Sequence, residues 1–280
     1  MPTVGHSCSM KRGVCVEEVS HLYWDRQLSM DEVALRVGCA ITVRRPFRGL
    51  ALPVRSRGPR TAPIDTISWT SERAYAVGLI ATDGNLSKDG RHLTVTSADV
   101  DLLETLHRCL NLKARVTRTA PGSRCHRVQW SDRNFHRWLR GVGLSPAKSR
   151  TLGMLAVPDE YLADFVRGCI DGDGSVVVYV DRYHAGKSAR YVYKRLYVTL
   201  GSASRPFLDW LRAALGRLTG LSGSISQRAS HRGRPYWVLR WARRESVRLL
   251  GWMYYAPSLP CLARKRDRAE PFLAEATSTR

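Results

Sequence analysis

The sequence predicts an α+β fold: one unit of helix–strands–helix–strands–helix used twice about a pseudo-twofold axis, with a small all-α module in front. Three observations predict it. Two apolar, helix-like segments, "AYAVGLIATDGNL" (74–86) and "FVRGCIDGDGSV" (165–176), both run into an Asp-Gly pair. Aligning Asp83 with Asp173 brings the following segments into correspondence, "RHLTVTSADVDLLETLHRCLNL" with "RLYVTLGSASRPFLDWLRAALGRLTGL". Each of these is an alternating strand followed by an amphipathic helix. A second strand–helix pair then matches, "HRVQWSDRNFHRWLRGVGL" with "YWVLRWARRESVRLLGWMYY".

Charge points to the partner. The 280 residues carry 45 Lys+Arg against 24 Asp+Glu, a formal net charge of +21. That excess repels itself in a compact body unless something anionic answers it, so nucleic acid is the expected partner, ahead of a membrane surface or an acidic protein. Most of the excess is arginine, suited to phosphate and guanine contacts. With no stretch of 18 apolar residues and no signal-peptide core, neither a membrane span nor export is expected. The seven cysteines (8, 15, 39, 109, 125, 169, 261) form no CxxC pair, which predicts reduced thiols in an intracellular protein. His6, Cys8, Cys15 and His21 do not have a zinc-site spacing.

The elements follow in chain order. Residues 1–52 are expected to form the accessory module: Leu22, Tyr23 and Leu28 lead in, and Ser29 with Glu32 forms a capping box for "MDEVALRVG". Gly38 ends that helix and "AITVRRPF" begins another, an arrangement that resembles a small helix-turn-helix. Thr42, Arg44 and Arg45 are its groove-facing candidates, although Pro46 would bend the second helix. Residues 53–69 read as a basic linker rich in Pro, Arg and Thr. The first half-domain is expected over 70–153, the second over 154–267, and a frayed tail over 268–280.

The second motif helix starts after Pro158, with Asp159 and Glu160 in its first turn, where the helix dipole favours acids. Its far end breaks that rule. Asp171 and Asp173 stand where unpaired carbonyls already concentrate negative charge, and Gly174 is expected as a left-handed stop. Small residues form a stripe along each motif helix: Ala74, Gly78 and Thr82 (or Ala81) in one, Asp164, Gly168 and Gly172 in the other. Gly78 and Gly168 then allow the helices to pack backbone against backbone, which brings Asp83 and Asp173 together. Two adjacent carboxylates are stable mainly with a divalent cation between them, and oxygen-only ligands suit Mg²⁺. Such a site above a scissile phosphate suits phosphodiester hydrolysis.

The motifs "AVGLIATDG" (76–84) and "VRGCIDGDG" (166–174) resemble the paired motifs of the LAGLIDADG homing endonucleases, over roughly residues 70–266. The resemblance implies a monomer acting as a pseudo-dimer, with the two motif helices at the interface. It also implies a Mg²⁺ (or Mn²⁺) site made by Asp83 and Asp173 with Gly84 and Gly174 as further ligands, and cleavage of both DNA strands by a site-specific, intron-encoded enzyme. The earlier acid of the motif is Ala81 in the first copy and Asp171 in the second, so the halves are expected to be asymmetric. Lysines after the last helix of each repeat, Lys148 and Lys265 (with Arg264 as a rival), are the candidate catalytic bases or charge stabilisers.

The DNA face is expected on strands. In "RYVYKRLYVTL", Tyr191, Tyr193, Arg195, Tyr197 and Thr199 share one side. A hairpin around Gly233 adds Gln227, Arg228, Arg232 and Arg234, and the first half supplies Arg115, Arg118, Arg124 and Arg127. Two other readings stand beside the endonuclease. One is a non-cleaving DNA-binding regulator or RNA maturase on the same scaffold. The other, an intein, is set aside because "MPT" and "STR" offer no splice-junction residues.

Overall fold

The computed structural model describes residues 16–26, 28–37, 67–183, 186, 192–229, 233 and 235–278. The chain divides into two compact units, Met1–Arg60 and Thr61–Arg280.

In the first unit, α1 (Val16–Ser20) runs into a π-helical turn (His21–Asp25), and α2 spans Met30–Arg36. The capping box is formed as expected: Glu32 N–H donates to the Ser29 hydroxyl, and Ser29 N–H donates to the Glu32 carboxylate at 2.7 Å. Val19, Tyr23, Val33 and Ala34 make a small core of their own. The expected second helix, with Thr42, Arg44, Arg45 and Pro46, lies outside the described residues.

The second unit is the predicted tandem. Helix α3 (Ser71–Thr82) leads to β1 (Gly84–Leu86), β2 (His92–Ser97), α4 (Val100–Cys109), β3 (Val116–Arg118), β4 (His126–Ser131) and α5 (Arg133–Val142). The pattern then repeats as α6 (Leu162–Asp173), β5 (Gly174–Asp181), β6 (Tyr193–Ser202), α7 (Arg205–Thr219), β7 (Ser224–Ala229), β8 (Pro235–Trp241) and α8 (Arg243–Met253), followed by α9 (Ala263–Ser278). Both sheets are four-stranded and antiparallel, in the orders β1-β2-β4-β3 and β5-β6-β8-β7. Identical strand order in both halves is the signature of a duplicated unit. One face of each sheet packs on helices: Leu93, Val95 and Val128 in the first, and Val176, Leu196, Val198, Leu200, Leu239 and Trp241 in the second, join a single core. The opposite faces are open, as the period of two requires.

Helix α3 is apolar on every side because every side is covered. Residues from Ala74 through Ala81 are all buried. It lies against α6 at the two predicted glycines. A Cβ placed on Gly78 would run into the Phe165 carbonyl oxygen and come within 3.0 Å of the Gly168 Cα. One placed on Gly168 would run into the Tyr75 carbonyl and come within 3.1 Å of the Gly78 Cα. No rotamer relieves a clash with backbone.

Four expectations need correction. Gly174 is not left-handed: its backbone is extended (φ −91°, ψ 172°). Glycine is required there because a Cβ would sit 2.6 Å from Ile170 Cα, and Gly84 makes the same approach to Ile80. The acids Asp159 and Glu160 form a 3-10 turn ahead of α6, and Asp159 pairs with Arg217 instead of capping the helix. The end of the linker belongs to the body, since Ile67 and Trp69 pack on the core and Trp69 lies tilted against Trp138 (4.8 Å) and stacked with Tyr161 (6.3 Å). Residues 268–278, expected to fray, continue α9, where Ala269 and Phe272 are buried apolar anchors.

Gly78→Ala or Gly168→Ala should cost more than about 3 kcal/mol, because two backbones must separate for one methyl. Gly141→Ala is the matched control: Gly141 lies in α5 with open space around its Cβ position, so alanine should stabilise by up to about 1 kcal/mol. Urea denaturation of the three variants checks both outcomes.

Candidate active site and DNA face

The close approach of α3 and α6 brings their C-terminal ends together. Asp83 caps α3, Asp173 is the last residue of α6, and a Cβ on Gly172 would lie 3.2 Å from Asp83 Oδ2. Burial, and after it the charge of Asp173, push the Asp83 carboxyl up to about 6. Asp173 reaches solvent at its edge, yet partial desolvation also raises it. Lys148 and Lys265 oppose both shifts.

The two lysines are buried, 4% and 3% exposed, and occupy equivalent places. Lys148 Nζ donates to the Gly84 carbonyl, and Lys265 Nζ donates to the Gly174 carbonyl at 2.7 Å. Their surroundings differ. Lys265 Nζ also reaches the carbonyls of Ile170 and Asp171 at 2.7 Å and of Gly172 at 3.4 Å, so it quenches the last turn of α6. Gly84 O is the single acceptor Lys148 Nζ finds among the described residues. Desolvation lowers both ammonium groups, Lys148 to about 8, while Asp173 and Asp83 hold Lys148 up. Arg264, the rival to Lys265, points elsewhere and forms a bidentate pair with Asp99 (2.9 and 2.6 Å).

Residues 160–250 match the family profile of the LAGLIDADG-like domain. The second repeat is a LAGLIDADG-like domain. The first repeat has the same strand order and an equivalent motif helix, so the body uses one α+β fold twice. No curated protein matches the chain. Similar solved structures include mesophilic variants of the homing endonuclease I-DmoI (16% identity, 68% of this chain and 94% of that one, TM-score 0.44). Full-length DUF199/WhiA from Thermatoga maritima aligns at 14% identity (78% and 67% covered, TM-score 0.44). The meganuclease I-AabMI bound to uncleaved DNA aligns at 13% (71% and 88%, TM-score 0.49).

The two motif helices differ at several equivalent positions. Asp171, equivalent to Ala81, is buried; its Oδ2 accepts from Tyr75 Oη at 2.9 Å and from Leu262 N–H at 2.8 Å. Burial raises its carboxyl to about 6 against those bonds and the charge of Lys265. The position equivalent to Tyr75 is Phe165, so a polar pair in one sense is an apolar pair in the other. Beyond it lies an interior ion pair that sequence reading missed. Asp164 pairs with Arg167, whose Nε donates to Pro260 O at 2.8 Å and Nη1 to Met253 O at 2.6 Å, and Tyr255 Oη donates to Asp164 at 3.0 Å. An i, i+3 Asp–Arg spacing was the available signal, but Arg167 sits where a solvated charge is the usual outcome. Tyr236 was also missed; burial and the charge of Asp173 raise its phenol.

Any cation would be held by Asp83 and Asp173, an all-oxygen donor pair that fits a hard divalent ion. Among the described residues no group of three or more His, Cys, Asp or Glu side chains is placed to hold a metal ion, here or elsewhere. The carbonyls of Gly84 and Gly174, expected as further ligands, already accept from lysine.

The strand registers sort the expected DNA contacts. On the open face of the second sheet lie Tyr193, Arg195, Tyr197 and Thr199 of β6, with Arg228 of β7. Arg240, not anticipated, joins them, its guanidinium 3.7 Å from the Tyr197 ring centroid. Gln227 pairs with Trp237, one residue out of phase with Arg228, and therefore falls on the helix side. In the first sheet Arg127 is on the open face, whereas Arg118, aligned with His126, shares the side of Val116. Arg115 lines a shallow cleft with Glu104, His107 and Arg108 on the α4 side, and Arg124 is exposed in the β3–β4 turn. Tyr191, Arg232 and Arg234 lie outside the described residues.

Lys265→Met should destabilise by about 3 kcal/mol or more and Lys148→Met by about 1 kcal/mol, since the first strips a donor from a whole helix end. Matched urea melts read the difference. Tyr75→Phe alone should cost about 1–3 kcal/mol, and combining it with Asp171→Ala should cost at least about 1 kcal/mol less than the two losses added, because the pair then copies Phe165 and Ala81. A double-mutant cycle in the same assay measures that coupling.

Proposed function

We propose that this chain is a site-specific, double-strand DNA endonuclease that depends on a divalent cation, Mg²⁺ or Mn²⁺, and acts as a monomer. The observation that carries the reading is the pair of twin-helix acids, Asp83 and Asp173, crowded together with raised carboxyls beside two buried lysines. Two carboxylates forced together at helix C-termini, against both the dipole and each other, are costly until positive charge joins them. A cation held there supplies Lewis-acid stabilisation of a scissile phosphate and a water of lowered pKa.

The chain's own residues do the rest. Asp83 and Asp173 orient the site from both half-domains, so one centre faces both strands. Lys148 keeps N–H donors for charge developing on a phosphate oxygen, while Lys265 fixes the end of α6. The open sheet faces, with Arg127, Arg195, Arg228 and Arg240, bind along the duplex. The formal charge of +21 supports strongly salt-dependent binding. The N-terminal unit, with Arg44 and Arg45, serves as an accessory DNA contact.

One observation favours a second reading, a non-cleaving DNA binder. The two ammonium groups already offset the two carboxylates, which weakens the demand for a metal.

The deciding experiment offers randomised duplex DNA to the full chain with Mg²⁺, Ca²⁺ or EDTA, beside Asp83→Asn and Asp173→Asn. The endonuclease reading expects one long site cut only with Mg²⁺, and at least about 100-fold slower cleavage in either variant. A site enriched by binding but intact under every condition would leave the non-cleaving binder as the function.

A further inference from the structure

The two open faces are unequal. Each begins at the glycine after a motif acid, so position along the strand measures distance from the paired carboxylates. In the first half the leading hairpin pairs only from Gly84↔Val95 to Leu86↔Leu93. In the second it pairs from Gly174↔Leu200 to Asp181↔Tyr193. Strand β5 has eight residues where β1 has three, so the second arm extends five residues further out. At about 3.4 Å per residue that is roughly 17 Å, the length of about five base pairs of duplex.

The chemistry of the longer face differs as well. It exposes Val177, Tyr179 and Tyr193, which are 40%, 46% and 44% accessible. Two of its arginines are held in place. Arg195 donates Nε to Asp181 Oδ2 at 3.1 Å, with Nη2 at 3.0 Å from the same oxygen, which leaves the Nη1–Nη2 end of the guanidinium facing outward. Arg240 lies over Tyr197, and Tyr197 stacks on Tyr179 at 6.1 Å with an interplanar angle of 18°. A stacked guanidinium keeps its in-plane donors free. On the shorter face Arg127 has neither a carboxylate nor a ring against it among the described residues. An arginine fixed before binding loses little side-chain freedom on contact, so it discriminates where a free one merely neutralises phosphate.

We infer that recognition is lopsided: the half-site under β5–β8 is longer by about five base pairs, and Arg195 and Arg240 read two guanines in it. The inference rests on the DNA-binding reading above. Guanine is the base chosen because its O6 and N7 accept both donors of one guanidinium edge in the major groove. Arg240 pairs with Thr199, four residues inward of Arg195, and leans over Tyr197, two residues inward. The two guanines therefore fall about two to four base pairs apart. Asp181 is a positioning residue; it touches Arg195 and no base.

The test selects bound sequences from a randomised duplex DNA library in EDTA, using the full chain and its Arg195→Gln, Arg240→Gln and Asp181→Asn variants. The expected wild-type motif has one arm about five base pairs longer, carrying both guanine preferences. Arg195→Gln should reduce the outer preference about tenfold and leave the inner one, and Arg240→Gln should do the converse. Asp181→Asn should relax only the outer preference, an effect a merely structural role would not confine to one base pair. Arms of equal length overturn the inference, as do long-arm guanines that survive both arginine variants. DNA binding without any enriched motif overturns it as well, while leaving the DNA-binding reading intact. Absence of salt-dependent DNA binding altogether sinks that reading and the inference with it.

Discussion

Two helix backbones touch at Gly78 and Gly168, and the rest of the body depends on that contact. Each glycine faces the carbonyl of a residue one turn back on the opposite helix, Phe165 or Tyr75, at a spacing no side chain could share. Such an approach needs no polar partner and gains dispersion along the whole length of both helices. It also dictates what happens at their ends. Helices held this closely deliver Asp83 and Asp173 to one place, along with two sets of unpaired terminal carbonyls. The buried lysines follow from that concentration of negative charge. Lys265 in particular sits in a cage of main-chain oxygens that only the end of a helix could make.

Duplication supplied the twofold frame, and a single chain let the halves drift apart within it. Along the first motif helix, Ala74, Val77 and Ala81 are apolar; the equivalent positions of the second are Asp164, Arg167 and Asp171. Those three charges are tolerated because each has partners. Arg167 meets Asp164 and two carbonyls, and one oxygen of Asp171 meets Tyr75 and Leu262. The other oxygen of Asp171 and the Tyr254 hydroxyl are buried without a partner among the described residues, which marks this side of the interface as the less complete network. A buried pair of this kind contributes little net stability when intact but costs several kcal/mol when half is removed, so it locks the pairing of the two helices more than it strengthens it.

The same divergence reaches the sheets. Strand order is conserved between the halves, while the leading hairpin is much longer in the second. Lengthening a hairpin outward from a fixed glycine leaves the paired acids untouched, because every added residue pairs beyond them. The open face can therefore grow, and acquire stacked tyrosines and anchored arginines, without disturbing the packed face of the same strands.

The repeat, the two motif helices, the strand–helix order and the identity of the paired acids were all readable in the residues. They are local properties: apolar period, capping chemistry such as Ser29 with Glu32, and small residues at one-turn spacing. The glycine stripe even implied which helices meet. Tertiary structure decided what local pattern could not. It made Gly174 necessary through a 2.6 Å approach to Ile170, not through a left-handed backbone. It separated Lys265 from Arg264, adjacent residues on one helix that point to different half-domains. It assigned Gln227 and Arg118 to the helix side, since a strand's register is set by its neighbour and a shift of one residue reverses every face. It also buried Arg167, because the acceptors that make such burial bearable, Met253 O and Pro260 O, come from residues far along the chain.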